Sequence, residues 1–397
     1  MKLEIRRAVA DDLPALAVAD GRAFGLHYSS TDIDDFRPIF EPNRFLLACE
    51  PEDGAIVGVT GSYTFDLTLP GGGVLPTQGV TWVSVATTHR RRGVAAELLS
   101  RQHREFAEEG VALSVLTASE GGIYGRFGYG AAGRERSVKI DRRLARFRAD
   151  APDPGGVRFA TTDEVRAKAP DVHRRWAART PGAVSRDDRW WDYSLADRAD
   201  FRDGGTALFH LVHPDGYASY RVHHDDHLCR VVDFFAATDE AHAALWRALL
   251  GIDLARFITA DACPVDDPLP FLLEDPRQVR TTELKDGLWA RLLDVPAVLA
   301  ARRYPVEIDA VLEVADAFLG LGGRFRLRGG PDGASCEPVA SAPDGWLSIG
   351  TLASLAFGTH RGHTLARSGM LEAAAPVLRR LDAAFAADQE VRHGTHF

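Results

Sequence analysis

The stretch Val83-Ser84-Val85-Ala86-Thr87-Thr88-His89-Arg90-Arg91-Arg92-Gly93-Val94-Ala95-Ala96 constrains this chain more than any other. It reads as a strand that turns through a polar loop into a helix, with Ala95, Leu98, Leu99 and Phe106 on the helix's apolar face. Arginines at a helix start oppose its dipole, so an anion held there is the better explanation of them. The pattern R-x-x-G-x-A, carried by Arg90, Gly93 and Ala95, suits a pyrophosphate. Unpaired first-turn N–H groups converge on the anion, Gly93 lets the backbone come close, and small Ala95 and Ala96 after Val94 leave the turn open. Arg91 and Arg92 add charge, and Val83, Ser84 and Val85 offer backbone groups to an amide-rich ligand arm.

A chain of 397 residues exceeds one ordinary core, so two or three domains are expected. The first third reads as strands and hairpins, then strand–helix–strand, with a short helix at 122–127 and a strand from Tyr129. A linker rich in Pro, Gly and Asp spans 149–156. Beyond it the order partly repeats: a helix at 164–178, strands at 207–213, 217–222 and 230–235, and a helix at 240–250. A third region opens near Gly287 with an apolar helix at 288–301. Strands at 306–314 and 324–328 follow, then helices at 349–356 and 371–386. The expected class is mixed α/β and α+β, in domains 1–148, 149–286 and 287–397.

The formal net charge of −9 argues against nucleic acid and favours a cationic partner. No apolar run is long enough to span a membrane and none resembles a signal peptide, so a cytoplasmic protein is expected. Cys49, Cys229, Cys263 and Cys336 lie far apart and suggest neither disulfides nor zinc. No metal is expected at His223-His224-Asp225-Asp226-His227, because neighbouring strand residues point to opposite faces. Gly71-Gly72-Gly73 reads as a turn, and Trp190-Trp191 as core or interface. The later strand–helix junction at 235–241 lacks R-x-x-G-x-A, and Asp239 and Glu240 would repel a pyrophosphate. One cofactor site per chain is therefore expected.

A second segment, Ser119-Glu120-Gly121-Gly122-Ile123-Tyr124-Gly125-Arg126-Phe127-Gly128-Tyr129-Gly130, places a tyrosine ahead of a glycine–aromatic strand start. With the arginine loop it resembles the GNAT acyltransferases. With 288–296 and the ending His393-Gly394-Thr395-His396-Phe397, it is similar to the Eis (enhanced intracellular survival) acetyltransferase family. The resemblance implies a catalytic GNAT domain, a degenerate GNAT-like domain and a sterol-carrier-protein-like domain. It implies acetyl-CoA as co-substrate, held by Val83–Val85, Arg91–Ala96, Ser119 and Glu120. Tyr124 would be the general acid, Tyr129 being read as packing. The Phe397 carboxylate would be the base, brought into the N-terminal domain by the chain's end, with His393 and His396 as alternatives. The implied reaction is N-acetylation of an aminoglycoside-like or lysine-like multi-amine by direct attack, in a homo-oligomer, a hexamer. The penultimate His396 departs from the family's acidic residue there. A protein-lysine acetyltransferase and a lipid- or acyl-CoA-binding protein are the two alternatives.

Overall fold

A computed structural model describes residues 3–397. Two seven-stranded mixed sheets and one five-stranded sheet are each covered by helices. The first sheet runs in the order Glu4–Arg7, Leu46–Cys49, Ile56–Thr68, Val74–Val85, Leu113–Thr117, Leu288–Leu292, Gly130–Ala131. The helix Val94–Glu108 joins Val74–Val85 to the parallel strand Leu113–Thr117. The second sheet repeats this unit: Leu228–Ala236, then the helix Asp239–Leu250, then the parallel strand Phe257–Pro264. That repeated crossover is the structural basis of the partial repeat in the sequence.

The two large sheets exchange strands. Arg134–Asp141 pairs with Phe257–Pro264 and Val279–Asp286 in the second sheet. Leu288–Leu292 returns to the first, antiparallel to Leu113–Thr117. The expected helix at 288–301 is therefore wrong in its first half. Leu288, Ala290 and Leu292 are fully buried sheet residues, and only Val295–Ala301 is helical. Asp294 marks the true start, its side chain accepting the Ala297 N–H at 2.9 Å, with Pro296 in the first turn. The expected helix at 371–386 likewise opens as a strand, Leu371–Ala373, before the helix Ala375–Ala384.

Several short α-helices escape the sequence pattern, and two of them carry a side-chain cap. Ser30–Phe36 starts at a capping box in which Ser29 and Asp32 bond reciprocally, and Asp188–Leu195 is capped by Asp187. Trp190 and Trp191 are core: Trp190 stands edge-on to Tyr63 at 4.9 Å between ring centroids. His224 to His227 form the turn of a hairpin, and no metal-competent cluster occurs among the described residues. Among the described residues, no helix is long and apolar enough to cross a membrane.

Candidate active site

The site begins where two parallel strands part. Val74–Val85 pairs with Leu113–Thr117 only at Thr77, Gln78 and Gly79. On its other side it stays paired with Ile56–Thr68 as far as Val85. Val80 to Val85 therefore have a strand neighbour on one side and an open wedge on the other. A register shift opposite Val59–Gly61 and a positive φ of 53° at Trp82 mark a bulge in this stretch. Such a strand exposes backbone donors and acceptors to anything lying in the wedge.

The arginine loop lies at the end of that strand. Arg91 (φ 62°) and Gly93 (φ 82°) are both left-handed, and they turn the chain into a 15-residue helix that has no side-chain cap. The first-turn N–H groups are thus left for a ligand. Arg90, Arg91 and Arg92 are exposed around them, Val94 is buried, and Ala95 and Ala96 are half-buried. A Cβ at Gly93 would meet nothing within 4 Å. The positive φ by itself calls for glycine there.

A cavity of about 350 Å³ opens beside the wedge. Val83, Ser119, Tyr124 and Phe397 line it, as do the alternative bases His393 and His396, so six of the residues named from sequence meet in one place. Ser84 is buried in the sheet instead, and Glu120 is exposed next to Ser119 without forming the wall. Phe24, Trp82, Glu135, Lys285 and Asp286 also line it and were not picked out from sequence. Lys285 pairs with Glu135 at 3.3 Å, and Asp286 accepts the Trp289 indole N–H. Glu135 and Asp286 thus stand in the lining beside one ammonium, that of Lys285, which suits a cationic guest.

Tyr124 sits in a 3-10 turn, Tyr124–Phe127, closed by Gly128 at φ 80°. Burial pushes its phenol up to about 12. Tyr129 lies behind it, fully buried, its hydroxyl 2.7 Å from His103 Nε2 and 2.6 Å from Ser114 Oγ. Tyr129 is a core residue, as expected.

The chain's end is docked, not frayed. Arg392 N–H donates to Pro181 O at 2.9 Å, and Val184 N–H to His393 O at 3.1 Å. Arg186, its side chain 3% exposed, donates to Gly394 O at 2.6 Å and Thr395 Oγ1 at 3.3 Å while pairing with Asp233 at 2.9 Å. Gly394 (φ 72°) lies so close to Trp176 that a Cβ would come within 2.4 Å of its ring. The Phe397 ring packs 5.1 Å from that of Phe65 and against Gly79, where the strands part. His393 donates its Nδ1 proton to Thr395 O at 2.7 Å, and burial pushes it down to about 3. Burial lowers His396 as well. Burial thus favours the neutral form of both imidazoles.

Two segments match acetyltransferase (GNAT) domain models, residues 4–132 and residues 182–292, and residues 295–392 match a sterol carrier protein domain. The chain is 44% identical over 351 residues to N-acetyltransferase Eis of Mycobacterium tuberculosis, covering 86% of each. It is 37% identical over 385 residues to an uncharacterized N-acetyltransferase of Streptomyces coelicolor, covering 92% of this chain and 93% of the other. The crystal structure of Eis1 from Mycobacterium abscessus superposes with a TM-score of 0.88 at 32% identity, over 99% of this chain and all of that one.

Proposed function

We propose, from the premise that this chain belongs to the Eis family of N-acetyltransferases and is an acyltransferase, that it moves an acetyl group from acetyl-CoA to a primary amine of a cationic, multi-amine acceptor. The observation that carries the proposal is the meeting of a one-sided strand, Tyr124 and the Phe397 terminus around a single cavity. Acetyl-CoA would supply the activated thioester.

The chain's own residues then have distinct tasks. The first-turn N–H groups from Val94 to Ala96, with Arg91 and Arg92, hold the diphosphate. Val83 to Val85 would offer the wedge-facing backbone to the amide arm, and an N–H of the same stretch would meet charge developing on the acyl oxygen. Ser119 lines the slot opposite, with Glu120 at its mouth. Tyr124 stays protonated throughout the working pH range, since burial disfavours its phenolate. It serves as a hydrogen-bond donor to the departing sulfur. Because its phenol is a weaker acid than an ordinary thiol, it stabilises the thiolate more than it gives up its proton. The Phe397 carboxylate accepts the ammonium proton, directly or through a water.

Glu135, Asp286 and the terminal carboxylate favour a polycation over a neutral amine. The alternative in which the third domain is a lipid carrier finds less support. That domain's interior is filled by Leu312, Leu327, Leu352, Leu355 and Phe357, all fully buried. Family resemblance further implies a homohexamer, which sedimentation would test. Initial rates with acetyl-CoA and a polyamine panel test the reaction. Intersecting double-reciprocal lines and a mono- or multi-acetylated product are expected. Parallel lines would demand a covalent acyl-enzyme, and no acetylated product with any amine would defeat the reading.

A further inference from the structure

Beneath the Tyr124 turn lies a buried ion pair that spans two domains. Arg291, on the strand Leu288–Leu292, is fully buried, and its guanidinium reaches Asp316 of the third domain at 2.7 Å. The same guanidinium donates to Phe127 O, the last carbonyl of the Tyr124–Phe127 turn, at 2.6 Å. It also occupies the space under Gly128, where a Cβ would sit 1.5 Å from Arg291 Nη1.

Asp316 organises its own surroundings as well. It accepts the N–H groups of Phe318 at 3.2 Å and Leu321 at 3.1 Å, curling the loop after the strand Ile308–Ala315. That loop sets the Phe318 ring edge-on to Phe127, 5.2 Å between centroids. Burial alone would raise the Asp316 carboxyl, but the charge and hydrogen bond of Arg291 and the loop N–H groups lower it overall, so it stays ionised. One strand further on, the helix Ile349–Ala356 begins against the backbone of Tyr129 and Gly130. A Cβ at Gly130 would fall 1.8 Å from Gly350 O, and one at Gly350 would fall 2.7 Å from Tyr129 O.

A buried ion pair contributes little net stability over an apolar replacement, but it fixes geometry strictly because neither partner tolerates being left alone. Here the geometry fixed is that of the turn bearing Tyr124. We propose that Arg291 and Asp316 are positioning residues for Tyr124, which makes the third domain a working part of the transfer site. This rests on the reading of Tyr124 as the donor to the leaving sulfur. Displacing that donor by an ångström costs turnover without changing how acetyl-CoA is held, because the diphosphate site lies on a different loop.

The test is a double-mutant cycle of Asp316→Asn and Tyr124→Phe, with acetyl-CoA affinity measured by calorimetry as a check on folding. Asp316→Asn is expected to lower kcat roughly 10- to 100-fold with acetyl-CoA affinity within about twofold of the parent, and to have no further effect once Tyr124 is Phe. Parent-like kcat in Asp316→Asn beside an impaired Tyr124→Phe would overturn the positioning role and leave Tyr124's own role standing. Equal losses in both backgrounds would also overturn it, since the pair would then act through general stability. Full activity of Tyr124→Phe would remove Tyr124 as donor, and the proposal with it. If Asp316→Asn does not fold, Phe318→Leu, which keeps the ion pair and trims the ring on Phe127, is judged in the same cycle by the same criteria.

Discussion

Arg186→Met should release the end of the chain while leaving the second domain folded. The arginine makes two of the tail's side-chain hydrogen bonds, at 2.6 Å to Gly394 O and 3.3 Å to Thr395 Oγ1, and lies 4.6 Å from the Trp191 ring centroid and 5.1 Å from that of Phe235. Hydrogen bonds from a charged donor are each worth about 1.5–3 kcal/mol. The longer one counts for less, and methionine keeps part of the stacking contact, so the tail's hold should weaken by about 2–4 kcal/mol. Asp233 loses its partner but its side chain is 21% exposed and can turn to water, which limits the collateral cost. At 1.4 kcal/mol per decade, opening of the tail becomes roughly 30- to 700-fold more frequent. Native-state hydrogen exchange reads this at the Arg392 amide, which the folded chain donates to Pro181 O. Unchanged exchange at Arg392, or acceleration spread evenly over the second domain, would refute the view of Arg186 as the pin of the tail.

Asp20 is 4% exposed, accepts one hydrogen bond from Tyr28 at 3.2 Å, and has an oxygen without a partner. Burial raises its carboxyl to about 6. A raised value means the protonated form is the one that suits the fold, so the stability it contributes is complete below about 4 and is lost as pH rises through 6. Asp20→Asn should therefore stabilise the protein on the order of 2–3 kcal/mol at pH 8 and hardly at all at pH 4. Melting curves at the two pH values decide this, and an equal shift at both would contradict it. Gly93→Ala meets no atom within 4 Å, so its cost is that of a left-handed backbone, about 1–2 kcal/mol. A weaker acetyl-CoA affinity with an unchanged kcat is expected by titration, and an unaltered affinity would count against the helix start as the diphosphate site.

The parts legible in the sequence were those whose cause is local. The arginine loop announces an uncapped helix start through residues adjacent in the chain, and Tyr124 stands within a few positions of the glycine that ends its turn. Leu288–Leu292 was misread because Leu, Ala and Arg favour helices and its sheet partner, Leu113–Thr117, lies far away in sequence. Leu371–Ala373 was absorbed into the following helix for a similar reason, although Pro376 marks that helix's first turn. Trp82 gives no hint of its positive φ, since nothing in its neighbours requires a bulge. Asp316 looks like any loop aspartate until Arg291 is seen beneath it. The docked tail could be expected only from resemblance. Its anchors, Pro181, Val184 and Arg186, lie in a connection between helices that carries no pattern of its own.

The central claim, that the last residue's carboxylate works in the transfer, is tested most directly by comparing thiol release from acetyl-CoA by the native chain and by one carrying glycines after Phe397, with the same polyamine panel. Each added residue carries the carboxylate up to about 3.5 Å onward while keeping the Phe397 ring. The account predicts a loss of turnover of about 10²- to 10⁴-fold, the contribution of a positioned acid–base group, with acetyl-CoA affinity retained. Equal turnover by the two chains would contradict it and move the proton's acceptor elsewhere in the cavity.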